Sequence, residues 1–87
     1  MTKIKLGETI ARVLWEDAWT DDGYFSVEDT TRTSPFLIKS TGYVLRYDKH
    51  CIVLGREQMK DEDRYRKIQY IPRPYIRKVD ILNGPRS

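Results

Sequence analysis

Cysteine and histidine are nearly absent from this 87-residue chain, which has one of each, Cys51 and His50. A single thiol excludes an internal disulfide, and the two residues together leave no Cys/His set for a structural zinc site. A reducing cytoplasm fits both facts. Glycine is also sparse, and the five present are scattered without forming a phosphate loop. Long apolar runs are missing: none approaches the roughly 20 residues needed to cross a bilayer, and the stretch from Met1 to Glu8 lacks the apolar core of a signal peptide. The expectation is a cytoplasmic protein with no membrane association. At this length it is one domain, spanning residues 1–87, with a modest core.

Catalytic equipment is thin as well. His50 and Cys51 are adjacent, but neighbours on an extended chain point to opposite faces, so Cys51 is expected to fill the core rather than join a Cys/His dyad. Asp21 and Asp22 stand before Gly23 and read as a solvated turn rather than a Mg²⁺ site. The expectation is a protein that is not an enzyme, with no cofactor and no metal.

What the chain does have is charge, and it is unevenly placed. The net value of +3 divides at Arg64. Residues 1–63 carry nine Lys/Arg against twelve Asp/Glu, giving −3, and residues 64–87 carry seven against Asp80 alone, giving +6. Within the acidic part, Glu16, Asp17, Asp21, Asp22, Glu28 and Asp29 share one stretch that holds no Lys or Arg. Such a chain can steer an anion to one side, or pair its own ends within or between subunits.

The apolar pattern predicts strands. From Thr9 to Trp15 the residues are β-formers, with Ala11, Val13 and Trp15 on one face of an extended chain. Helical spacing of Ile10, Val13 and Leu14 is the alternative there. Residues 17–35 read as a long loop, with Ser26 and Asp29 in the pattern of a capping box that would start one helical turn. From Phe36 to Tyr47 a long strand changes phase near Gly42, where a bulge or sharp bend is expected. Asp48-Lys49-His50 turns the chain into Cys51-Ile52-Val53-Leu54, a continuous apolar run that predicts burial on both sides. The polar residues from Glu57 to Arg66 form an exposed connection or the end of a second hairpin. Lys67 to Ile71 return as a strand that stops at Pro72, and Arg77 to Leu82 form the last.

Five short strands, a curling glycine in the second and the Pro72-Arg73-Pro74-Tyr75 turn before the last resemble the SH3-like and Sm-like small barrels, which carry a single 3₁₀ turn at that point. The implied fold is mostly β, a small five-stranded barrel with a long loop after the first strand. An open sheet with a flanking helix is the rival. The Trp15-Glu16-Asp17-Ala18 element, Ser40 to Leu45, Ile52 to Leu54, Ile71-Pro72-Arg73 and Ile76 to Val79 also resemble a set of short phage and prophage proteins. That resemblance implies an accessory protein in a bacterial host cell and assigns no site residues.

The basic, aromatic C-terminal quarter is the functional lead. Arg64, Arg66, Tyr70, Arg73, Tyr75 and Arg77 interleave guanidinium forks with rings, which suits phosphate contact beside base stacking. The competing explanation is an ordinary solvated strand face. Trp19 and Tyr24, set among Asp and Gly, are candidates for a ligand wall or a subunit contact. The expected function is non-catalytic binding of a phosphate-bearing ligand, with sequestration of a nucleotide defence signal as one form of it. Single-stranded RNA or DNA binding and a protein–protein role against a host protein are the alternatives. A homo-oligomer is expected in each case.

Overall fold

In the computed structural model, which describes residues 4–17, 23–30, 36–61 and 63–83, the first apolar stretch is a strand rather than a helix. β1 (Ile10–Asp17) buries Ala11 and Val13 completely and exposes Arg12 between them, the period of two of a half-buried strand. Trp15 packs against the core and its indole N–H donates to Ser40 Oγ at 3.0 Å. The long connection contains α1 (Val27–Thr30), a single helical turn. Its start is the expected capping box: the Ser26 N–H donates to Asp29 Oδ2 and the Asp29 N–H to Ser26 Oγ, each at 3.1 Å. β2 (Phe36–Tyr47), β3 (Cys51–Gln58), β4 (Tyr65–Pro72), a 3₁₀ turn (Arg73–Tyr75) and β5 (Ile76–Ile81) follow. The polar stretch after Glu57 is the end of the β3–β4 hairpin, closed by Met59 N–H donating to the Arg64 carbonyl at 2.8 Å.

All five strands belong to one antiparallel sheet in the order β4-β3-β2-β1-β5. β4 and β5 are its two edges, yet only the three residues of the 3₁₀ turn separate them in sequence. Four residue steps reach at most about 14 Å, whereas the edges of a flat five-stranded sheet lie about 19 Å apart. The sheet is therefore curled. One buried cluster confirms it, because Ala11 and Val13 of β1, Val44 of β2, Ile52 and Leu54 of β3 and Ile71 of β4 meet in a single core, with Ile76, Val79 and Ile81 of β5 packed on it. No ladder joins β4 to β5 among the described residues, so the curl is open.

β2 makes the curl by changing partners. Phe36 to Tyr43 pair with β1, and Tyr43 to Tyr47 pair with β3. The change of phase expected at Gly42 lies instead at Leu45, where the register with β3 shifts between Val44 and Arg46. Before it Ser40, Gly42 and Val44 are all buried on one face. Gly42 answers a different need: a Cβ there would stand 2.8 Å from the Gly55 carbonyl oxygen. In β3 the run Ile52 to Gly55 is buried, as expected of a strand covered on both sides, but Cys51 at its head is only half-buried. Cys51 therefore does not fill the core, because the pleat gives the core positions to Ile52 and Leu54.

Candidate phosphate-binding surface on the β3–β4 hairpin

The sequence-predicted site residues separate once they are placed on the sheet. Arg64 is exposed at the hairpin end, 3.8 Å from Asp61. Arg66 is ion-paired with Glu57 across the ladder. Tyr70 is exposed on β4 and Tyr75 on the 3₁₀ turn. Arg73 stands over the Tyr47 ring at 4.8 Å, donates from Nη1 to the Asp48 carbonyl at 3.2 Å, and its backbone N–H donates to the His50 carbonyl at 3.0 Å. Arg77 is ion-paired with Glu16 of β1. Tyr24 is fully exposed beside α1, and Trp19 lies outside the described residues.

Arg73, just past the end of β4, lies seven residue steps from Arg66, about 23 Å at strand spacing, and Arg77 belongs to the other edge strand. The four arginines do not form one cluster. Three of them are also occupied by carboxylates of their own chain, and the fourth pins the 3₁₀ turn to the β2–β3 turn.

A tighter basic group forms on the β3–β4 hairpin, where Arg66 and Lys67 meet Arg56 and Glu57, which the linear pattern does not single out. Glu57 lies opposite Arg66, and its second oxygen is 3.6 Å from Lys67 Nζ. The hydrogen bond from Arg66, then the charges of Arg66 and Lys67, hold the Glu57 carboxyl below its usual range. Arg56, the neighbour of Glu57, is exposed and has no carboxylate partner among the described residues. Arg56, Arg66 and Lys67 against Glu57 leave two positive charges unbalanced.

Lys67 has φ of 58°, the only non-glycine residue with positive φ among those described. A left-handed residue inside a strand costs roughly 1–3 kcal/mol and breaks the alternation of side chains. The ladder pairs Gly55 with Ile68 and Glu57 with Arg66, and Arg56 and Lys67 between them are unbridged. Adjoining hollows of about 580 and 530 Å³ share Arg56 and Glu57; Lys67, Ile68 and Gln69 line the first and Tyr43, Met59 and Arg66 the second. Gln69 Oε1, on the wall of the first, is buried without a hydrogen-bond partner.

The hairpin is held in place by Tyr65. Its hydroxyl donates to the Gly7 carbonyl at 2.6 Å and accepts from Gln58 Nε2 at 3.2 Å, and its ring lies 5.6 Å from that of Tyr43. Gly55 must lack a side chain here, since a Cβ would stand 2.9 Å from both Leu45 Cδ1 and Tyr65 Cβ. Sequence reasoning reached Arg66 through its aromatic neighbours. It passed over Arg56, whose only signal is that it ends an apolar strand, and over the geometry of Lys67, which no composition encodes.

At the β2–β3 turn, the backbone N–H groups of His50 and Cys51 both donate to Asp48 Oδ1, at 2.8 and 3.1 Å. That carboxylate is thereby engaged as a turn former. No cluster of three or more His, Cys, Asp or Glu arranged to hold a metal ion occurs among the described residues, and no described helix is long and apolar enough to cross a membrane.

These features define a small, mainly β protein built on one curled five-stranded antiparallel sheet, with a basic hairpin at one edge. The chain matches no family model, no curated protein and no solved structure.

Proposed function

We propose that the protein is a non-catalytic binding module, with a sheet of the SH3-like or Sm-like barrel type, that holds a phosphate-bearing ligand on the β3–β4 hairpin. The observation that carries this reading is the pairing of Arg66 and Lys67 with one carboxylate, on a strand strained at Lys67, with Arg56 of β3 lining the same hollows. Strain of that kind is retained where surrounding structure over-determines it, and it gathers at ligand clamps. Two guanidinium forks and an ammonium supply enough donors for the oxygens of one phosphate. The hollows beside them are within the size range of small-ligand pockets, and a small nucleotide, sequestered rather than converted, suits them.

Calorimetry with mono-, di- and cyclic nucleotides tests the proposal. Saturable one-site binding is expected, and Arg56→Ala should weaken it by about 1.5–3 kcal/mol, the range for a hydrogen bond to a charged group. Arg56→Lys should recover only part of that loss, because an ammonium cannot reproduce the bidentate fork. Absence of binding across the panel removes the proposal.

A second reading is single-stranded nucleic acid, favoured by the exposed Ile68 and Tyr70 further along the same strand, which offer bases a surface to stack on. Affinity that rises with oligonucleotide length and collapses with salt would select it.

A further inference from the structure

Two features lie outside that site, and each supplies what the other lacks. The first is the segment around α1. Every residue from 23 to 30 is exposed, with Tyr24, Phe25 and Val27 at 103%, 50% and 84% of full exposure. The turn is nonetheless ordered, by the capping box and by the Thr30 hydroxyl donating to the Val27 carbonyl at 2.7 Å. A four-residue helix does not repay its own nucleation, and three exposed apolar side chains within four residues mark a contact surface. The same turn carries Glu28 and Asp29 and lies in the stretch that holds six acids and no Lys or Arg.

The second feature is on the solvent face of β2, β1 and β5. Leu14 lies between Lys39 of β2 and Lys78 of β5, and with Arg12 and Asp80 these residues line a hollow of about 250 Å³. Asp80 lies 3.4 Å from Arg12 and 3.6 Å from Lys78, and Lys39 has no carboxylate partner among the described residues. Three cations facing one carboxylate leave the rim two charges in excess, and like charges close together on a sheet face are unfavourable. The half-buried Leu14 gives the rim an apolar floor.

We propose that α1 of one copy of the chain docks in this hollow of a second copy, with Val27 on Leu14 and with Glu28 and Asp29 against Arg12, Lys39 and Lys78. The match is one of charge and of polarity together: an acidic turn led by an aliphatic side chain meets a basic rim around an aliphatic floor. The guest comes from another copy because, within one chain, the turn stands exposed and the hollow open. Supply of the partner by the same sequence makes the assembly a homo-oligomer, in which each copy offers both halves of the contact.

Light scattering and sedimentation equilibrium of the full chain, over a wide range of concentration and salt, provide the test. The unaltered protein should be larger than a monomer at micromolar concentration, with association weakened at high salt. Val27→Glu, Glu28→Lys and Lys39→Glu should each raise the dissociation constant about tenfold or more, and Glu28→Lys combined with Lys39→Glu should recover association through the reversed pair. All three positions are exposed, so circular dichroism of each variant should match the unaltered protein. A monomer throughout the concentration range overturns the proposal. So does an oligomer that the single substitutions leave intact, or one that the double exchange fails to restore.

Discussion

At the β2–β3 turn Asp48 accepts from three donors at once: Arg46 Nε at 2.5 Å, and the backbone N–H groups of His50 and Cys51. The Arg46 hydrogen bond first, then the two backbone donors, lower its pKa from 3.8 to about 2. A carboxyl whose folded pKa lies below its unfolded one stabilises the fold fully above the unfolded value, and that contribution fades as pH falls toward the folded one. The window is therefore pH 4 to 2. Asp48→Asn keeps an acceptor for the turn but loses the charge that Arg46 binds. The variant should be less stable than the parent at neutral pH, and its stability should fall less steeply between pH 4 and 2. Chemical denaturation at a series of pH values reads both, and parallel curves for the two proteins would show that Asp48 titrates without linkage to folding.

At the scale of the element, β2 is decided by approach distance rather than by pattern. Gly42→Ala introduces a methyl 2.8 Å from a backbone carbonyl oxygen and 3.2 Å from Leu54 Cβ, neither of which can move without disturbing β3. A loss of about 1–3 kcal/mol is expected, the usual cost of overpacking, and urea unfolding of the variant measures it. A neutral result would mean that β2 and β3 part easily at this point. Much of each strand was legible: the alternation of β1, the apolar run after Cys51 and the Asp48-Lys49-His50 turn follow from local chemistry, and the 3₁₀ turn after Pro72 was expected from the resemblance to the small barrels. The bulge at Leu45 was not, because it arises from the register between β2 and β3, which neither segment encodes alone. The candidate site divides in the same way. Arg66 is visible in a basic, aromatic stretch, whereas Arg56 becomes notable only because the ladder leaves it and Lys67 unbridged between two pairs. Arg64, Arg73 and Arg77 look like one group in sequence, but strand rise and edge position draw them apart.

For the whole molecule the corner after β4 is the critical joint, since it alone carries the chain from one edge of the sheet to the other. Arg73 fastens it through the Tyr47 ring and the Asp48 carbonyl. Arg73→Ala should therefore cost about 1–2 kcal/mol of stability, from one exposed cation–π contact and one hydrogen bond, visible as a fall of several degrees in Tm. Ligand affinity at the distant hairpin should stay unchanged, and an affinity loss without a stability loss would return Arg73 to the binding surface. The exchange of partners along β2 has a mechanical consequence. Tyr43 is paired both to Ile10 and to Gly55, and Val44 bonds to Thr9 and Gly7 on one side while it pairs with Leu54 on the other, so two ribbons, β5-β1-β2 and β2-β3-β4, share a strand and overlap only at its middle. Bending at that residue alters the angle between the ribbons while sparing most ladder hydrogen bonds. A change in that angle would widen or narrow the gap between β4 and β5, and the 3₁₀ corner that joins them would limit it at one end.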